Sequence, residues 1–299
     1  MGGAPGPRAR LRPEDGCGLR QITTTAGMRR WSDATRKSGR TVAFVPTMGC
    51  LHEGHLSLLK RARREADLVV ASIFVNPLQF GPREDFKSYP RNLSRDAGLA
   101  RRERCDVLFV PSPAEMYPRG YRTRVTVEGA DGVLCGRFRP GHFSGVVTVV
   151  LKLVNLVRPD VLLLGQKDAQ QAVVIGRMLE DLNAGVRVLV CPTVRDKDGL
   201  AMSSRNGYLS PDERRRALGI PRSLFLAREL VRKGEKRASA VRAGMRRMLS
   251  EAGVTDVDYV EIVDGAELTP LRRLEGDVLI AVAARVGRTR LIDNVKLKV

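Results

Sequence analysis

At 299 residues, with 43% hydrophobic and 28% charged content, the chain is long enough to bury a substantial core as one large domain with a smaller one beside it. No apolar run approaches membrane-spanning length and no internal repeat is evident, so a transmembrane or solenoid reading is excluded and no membrane partner is expected. The formal charge of +19 invites a nucleic-acid reading, but the 42 Arg and 10 Lys are spread through predicted helices and the 5% of aromatic residues are not interleaved with them, so solvated helix faces explain most of the charge and no nucleic acid is expected.

Residues 1-20, MGGAPGPRARLRPEDGCGLR, lack an apolar core and read as a disordered extension or a mispredicted start, not as a secretory signal. Cys17, Cys50, Cys105, Cys135 and Cys191 form no C-x-x-C pair, which suggests neither zinc nor a disulfide framework and fits a reducing cytoplasm. Val42 to Val45 then reads as a short buried strand ended by Pro46. Met48-Gly49-Cys50 makes a turn, and Leu56, Leu58, Leu59 and Ala62 mark one face of a helix. His52 and His55, two of only three histidines, therefore lie between a strand's carboxyl end and a helix's amino end. That crevice binds ligands in open α/β sheets, and free helix-terminal N–H groups favour anions there. Gly54 removes a side chain where a bulky group would approach the backbone, and a phosphate ester is the natural ligand. The plain alternative is that the histidines merely cap the helix.

Further along, Leu68 to Val75 and Val107 to Val110 read as strands and Arg91 to Arg104 as a helix, in a sheet expected to be parallel. NPLQFGPREDFKSYPR between them is turn-rich, with Asn76 and Gln79 just past a strand end where they could serve a substrate carrying carboxylate and hydroxyl groups. The run from Val146, VVTVVLKLVNLV, is assigned as a buried helix on length and lack of turns. VLLLG is a strand, and QKDAQQ opens another helix, where Lys167 can sit beside a phosphate, Asp168 can cap, and Gln170 or Gln171 can turn into the crevice. After a strand over Val186 to Val190, RDKDGLAMSSRNGYLS reads as a mobile loop whose Ser203, Ser204 and Arg205 suit a polyphosphate. Beyond Leu209, Ser210-Pro211-Asp212-Glu213 makes a helix start. Two basic amphipathic helices follow, roughly to Gly234 and from Lys236 to Gly253, then strands at Val257 to Val263, Val278 to Ala284 and near Leu291.

Taken together, PTMGCLHEGH, VNPLQF, FKSYPR, RPGHFSGV, GQKDAQQ and PTVRDKDGLAMSSRNGYLS stand in an order and spacing that resemble the pantoate-β-alanine ligase family, over about residues 20 to 299. H-x-G-H alone would indicate only the wider nucleotidyltransferase group. The resemblance implies a Rossmann-like α/β parallel sheet with helices on both faces over residues 21-205, and a smaller C-terminal α+β domain over 206-299 that could act as a lid or simply as packing. It implies a cytoplasmic homodimer that uses ATP and Mg2+ to join pantoate to β-alanine. Carried over residue by residue, Met48, Gly49, Cys50, Leu51, His52, Glu53, Gly54 and His55 would bind ATP, with His55 the proton donor. Gly165, Gln166, Lys167, Asp168, the Val194 backbone, and Met202, Ser203, Ser204 and Arg205 would complete the nucleotide site. His52, His55, Lys167 and Arg205 are suited to the developing charge, Gln79 and Gln171 would contact pantoate, and Asn76 and His142 occupy further substrate positions. Asp96 is the candidate metal ligand. Here the chain departs from the family pattern, with Arg95 where acidic neighbours are common and Gln166 where many members resemble GEKD.

Overall fold

The computed structural model describes residues 18–82 and 84–299. The expectation for the amino-terminal extension lies outside these residues as far as Cys17, and Arg20 already belongs to a strand. Six strands form one sheet: β1 Arg20–Ile22, β2 Val42–Thr47, β3 Leu68–Ile73, β4 Val107–Phe109, β5 Val161–Gly165 and β6 Arg187–Cys191. Their order is β1-β4-β3-β2-β5-β6, with every pairing parallel. Chain order runs outward from β2 in one direction and then from β5 in the other. The sheet therefore reverses between β2 and β5, and their carboxyl ends diverge into a crevice. The helices are α1 Thr25–Lys37, α2 Glu53–Glu65, α3 Leu93–Arg102, α4 Pro113–Met116, α5 Leu134–Phe138, α6 His142–Val157 and α7 Ala169–Asp181. One core cluster joins α6 and α7 to one sheet face, and a second joins α2 to the other, so both faces are covered.

Pro46 does not end β2, as its ring suggested; the strand pairs with β3 through Thr47. Val42 O accepts from Asp160 N, so alternate residues Val42, Phe44 and Pro46 address the β5 side. Pairing with β5 covers Ala43 and Phe44, and Pro46 lies past it, where its missing N–H costs no ladder bond. The proline thus helps to open the crevice. Strand β1 carries no strong sequence signal: it is three residues long and pairs only with β4.

The carboxyl-terminal part contains α8 Pro211–Ala217, α9 Gly219–Arg232, α10 Ala238–Glu251 and an antiparallel sheet of β7 Asp256–Asp264, β8 Asp277–Val286 and β9 Thr289–Lys298. The single expected helix ending near Gly234 is two, because Pro221 lacks the N–H that would bond the Ala217 carbonyl. Period-two alternation gives β8 two buried faces. Val278, Ile280, Val282 and Ala284 pack under α9 and α10, while Leu279, Ala281 and Ala283 enter the main α6–α7 core. The second sheet is thereby built into the first unit's core. Among the described residues no helix is long and apolar enough to cross a membrane.

Candidate functional site

Four segments meet over the β2–β5 crevice. The first is the turn from β2 into α2. Gly49 and Cys50 both have positive φ, 85° and 51°, and a Cβ on Gly49 would press on Ile73 and Asp96. Asp96, on α3 and 1% exposed, accepts from Cys50 N at 2.7 Å and Leu51 N at 2.8 Å. His52 is the N-cap of α2. Its Nδ1 accepts from Gly54 N at 3.2 Å, and His55 Nδ1 accepts from His52 N at 3.3 Å, a capping box built from two imidazoles. The two alternatives left by the sequence are therefore not exclusive: the histidines cap the helix and also line the cavity.

Capping sets their chemistry. With each Nδ1 accepting a backbone proton, a neutral ring carries its hydrogen on Nε2. Burial, then Lys167, lowers the His52 pKa to about 4; burial, then His52 and Lys167, lowers that of His55 to about 3. Near pH 7 both are neutral Nε2–H donors, with ring centroids 4.1 Å apart. Gly54 keeps space for the His52 ring itself, since a Cβ there would come within 2.9 Å of it.

The second segment follows β5. Gln166–Asp168 is a 3₁₀ turn held from the far end of the chain: Asn294 of β9 donates to Gln166 O and Lys167 O, both at 2.9 Å, and accepts from Gln166 Nε2 at 2.7 Å. Asp168 makes no capping bond and stands 3.7 Å from Lys167 Nζ, contrary to the expected cap. Gln170 is also corrected. It is buried and spends its amide on Cys135 N, Ala130 O and Val133 O, whereas Gln171 lines the cavity.

The third segment, expected to be a mobile loop, is tied down. Met202 N bonds Val194 O, Arg195 bridges to Ala201 and pairs with Asp293, and Ser203 caps the turn Ser204–Tyr208. Ser204 Oγ lies 3.1 Å from Tyr89 Oη. Arg205 lines the cavity and is held in a fork by Asp85 at 2.9 and 2.7 Å.

In the fourth segment Asn76 supports and does not line. Fully buried, it accepts from Leu78 N and Tyr117 Oη and donates to Gly145 O and Gln79 Oε1, which uses all of its capacity. Gln79 reaches the cavity. His142 Nδ1 lies 2.8 Å from Gln79 O and its Nε2 2.9 Å from Arg139, which forks onto Glu84. Burial, then Arg139, lowers the His142 pKa to about 4. Gly145 lets α6 touch this segment, because a Cβ there would overlap Leu78 O. Sequence reasoning gave no role to Asp85, Tyr89, Arg139, Gly145 or Asn294. Four of them lie within motifs already noted, and a glycine inside an apolar helical run was the one available signal.

These groups enclose a cavity of about 230 Å³, floored by Phe74, Val146, Val149, Val150 and Leu153. It opens on a cleft of about 1530 Å³ that runs to the β8–β9 hairpin. Asp96, the candidate metal ligand, serves as a clamp on the turn. Both oxygens are committed to backbone N–H groups, and no cluster of three or more His, Cys, Asp or Glu suited to a metal occurs among the described residues. One end of the cavity thus offers hydrogen-bond donors and cations to an anion, and the other offers amides over an apolar floor.

Residues 20–296 match the family model described as pantoate-beta-alanine ligase. A pantothenate synthetase of Heliobacterium modesticaldum is 54% identical over 94% of this chain and all of its own length. Among solved structures, pantothenate synthetase from Thermus thermophilus superposes with a TM-score of 0.89 at 44% identity, covering 94% of this chain and all of that one. The Francisella tularensis pantoate-beta-alanine ligase, solved with beta-gamma ATP and beta-alanine, gives 0.77 at 33% identity over 93% of this chain and 97% of its own.

Proposed function

The chain belongs to the pantoate-β-alanine ligase family, and from that membership and the site geometry we propose that it condenses pantoate with β-alanine, using ATP, through a pantoyl adenylate. The observation that carries this is the pair of neutral Nε2–H donors, with Lys167 and the Ser203–Arg205 turn, around one cavity that Gln79 and Gln171 also line.

A carboxylate and an amine do not condense in water at a useful rate, so the acid needs a better leaving group. A pantoate carboxylate oxygen attacks the α-phosphorus in line; the bond to the bridging oxygen breaks and pyrophosphate leaves. The β-alanine nitrogen then attacks the acyl carbon, loses a proton, and AMP departs on its phosphate oxygen. No group of the protein need become covalently attached. His52 and His55 donate Nε2–H bonds to phosphate oxygens, and Lys167 and Arg205 offset the charge that gathers on the leaving group. His55 acts as a hydrogen-bond donor, since a ring with its pKa near 3 is neutral before ligand binds. Arg205 exchanges Asp85 for phosphate as the nucleotide enters. Gln79, its amide oriented by Asn76 and by Met48 Sδ, and Gln171 bind the pantoate hydroxyls, with the apolar floor under its methyls. Mg2+ would be held by the triphosphate, since no cluster of three or more His, Cys, Asp or Glu suited to a metal occurs among the described residues.

Incubating the purified protein with ATP, Mg2+, pantoate and β-alanine should yield pantothenate, AMP and pyrophosphate by mass spectrometry, and folded protein giving none would sink the reading. Family likeness also supports a cytoplasmic homodimer, which sedimentation equilibrium would test through a mass twice that of the 32.9 kDa chain.

A further inference from the structure

The adenylate-forming site leaves most of the +19 charge without a task. The outer cleft shares Gln79, Arg139, His142, Lys167 and Arg205 with the inner cavity and is continuous with it. Four of the five acidic groups on its walls are matched by cations. Glu84 is held by Arg139, Asp85 by Arg205, Asp168 by Lys167 and Asp293 by Arg195, while Glu213 caps Ser210 N. Arg124, Arg285 and Arg288 line the same cleft, are exposed, and form no salt bridge among the described residues. Two of them stand on the β8–β9 hairpin, which is pinned. Gly287, with φ of 58°, packs so closely on α8 that a Cβ would overlap the Glu213 carboxylate.

We propose that Arg124, Arg285 and Arg288 make the outer cleft a vestibule that collects polyphosphate and draws the nucleotide's triphosphate toward the inner cavity. Unmatched charge inside a low-dielectric cleft focuses its field outward, raising the capture rate of an anion without touching the chemical step. This deepens the ligase reading and rests on it. Screening sets its signature, because the Debye length shrinks from about 30 Å at 0.01 M to about 3 Å at 1 M salt.

The test compares two triple variants of equal net charge. R124Q/R285Q/R288Q empties the cleft, and R228Q/R246Q/R247Q removes three exposed arginines from α9 and α10 that do not line it. At low salt the first should lose about tenfold in kcat/KM for ATP, with kcat unchanged and the gap closing at high salt; the second should match wild type. An equal loss in both would assign the effect to global charge, and a fall in kcat at saturating ATP would place the arginines in the chemistry. Either result, or an unaffected cleft variant, overturns the vestibule. Calorimetric titration with inorganic pyrophosphate reads it independently of turnover: weaker binding only in the cleft variant is expected, and this holds even if wild type made no pantothenate.

Discussion

The two junctions proposed to face phosphate, β2 into α2 and β5 into α7, present the same kind of loop but are secured in opposite ways. The first is nearly self-contained. Two histidines cap the helix, His52 on Gly54 N and His55 on His52 N, and one buried carboxylate 46 residues from Cys50 clamps the preceding turn. The second has no capping side chain at all and is held by Asn294, 128 residues from Gln166. The difference teaches that β9 is part of the proposed nucleotide site's support. The last strand completes a turn that the first unit leaves open, so the carboxyl-terminal sheet supports the Gln166–Asp168 turn as well as closing its own core.

Breaking the groups that face phosphate should have the largest effect. His55→Ala removes a preorganised donor together with half of the imidazole capping box, and pyrophosphate release in single turnover with pantoate should slow about 100- to 1000-fold. Unchanged single-turnover kinetics would remove His55 from the chemistry. Asp96→Asn comes next, because a charged acceptor of two N–H groups is worth about 1.5–3 kcal/mol per bond against about 0.5–1.5 for a neutral one. Its amide would also face one of those N–H groups with another donor. A 10- to 100-fold loss in kcat/KM for ATP is expected, with the Mg2+ midpoint unmoved; a shifted midpoint would restore Asp96 as a metal ligand. Asn294→Ala should cost about tenfold or less in the same constant, since the bonds lost to the Gln166 and Lys167 carbonyls are neutral. An effect larger than that of Asp96→Asn would reverse the ranking of the two junctions.

What could be read from the chain follows the same division. The β2–α2 turn was legible because its glycine, its histidines and the apolar face of the helix all act within twenty residues. The Ser210–Glu213 capping box was legible for the same reason, and the structure contains it. Asp96 was visible as a carboxylate near the site, but one sequence cannot show which backbone N–H groups it meets across 45 residues. Arg205 could be read as a phosphate-binding fork, yet not as one already filled by Asp85. Asn294 carries no local signal, and only pairing along β9 places it under the Gln166–Asp168 turn. Local capping and periodicity are written in short windows; the partner of a buried polar group is decided by topology.

The smallest effect concerns protonation of the buried imidazoles, two of which form the first junction. All three histidines are depressed from 6.5, to about 4 for His52 and His142 and about 3 for His55, burial being the first cause in each case. Below pH 6.5 the unfolded chain takes up protons that the folded rings resist. Stability supplied by these rings is therefore complete above pH 6.5 and lost as pH falls toward 4. At pH 5 the loss is at most about 2 kcal/mol per ring, from about 1.4 kcal/mol per pH unit. Carboxylates titrate in the same range, so the comparison must be between proteins. His52→Gln removes one titrating ring, and the drop in its urea-unfolding free energy from pH 7 to pH 5 should be smaller than that of wild type by about 1–2 kcal/mol. Equal drops would mean that burial does not depress the His52 pKa in the folded state.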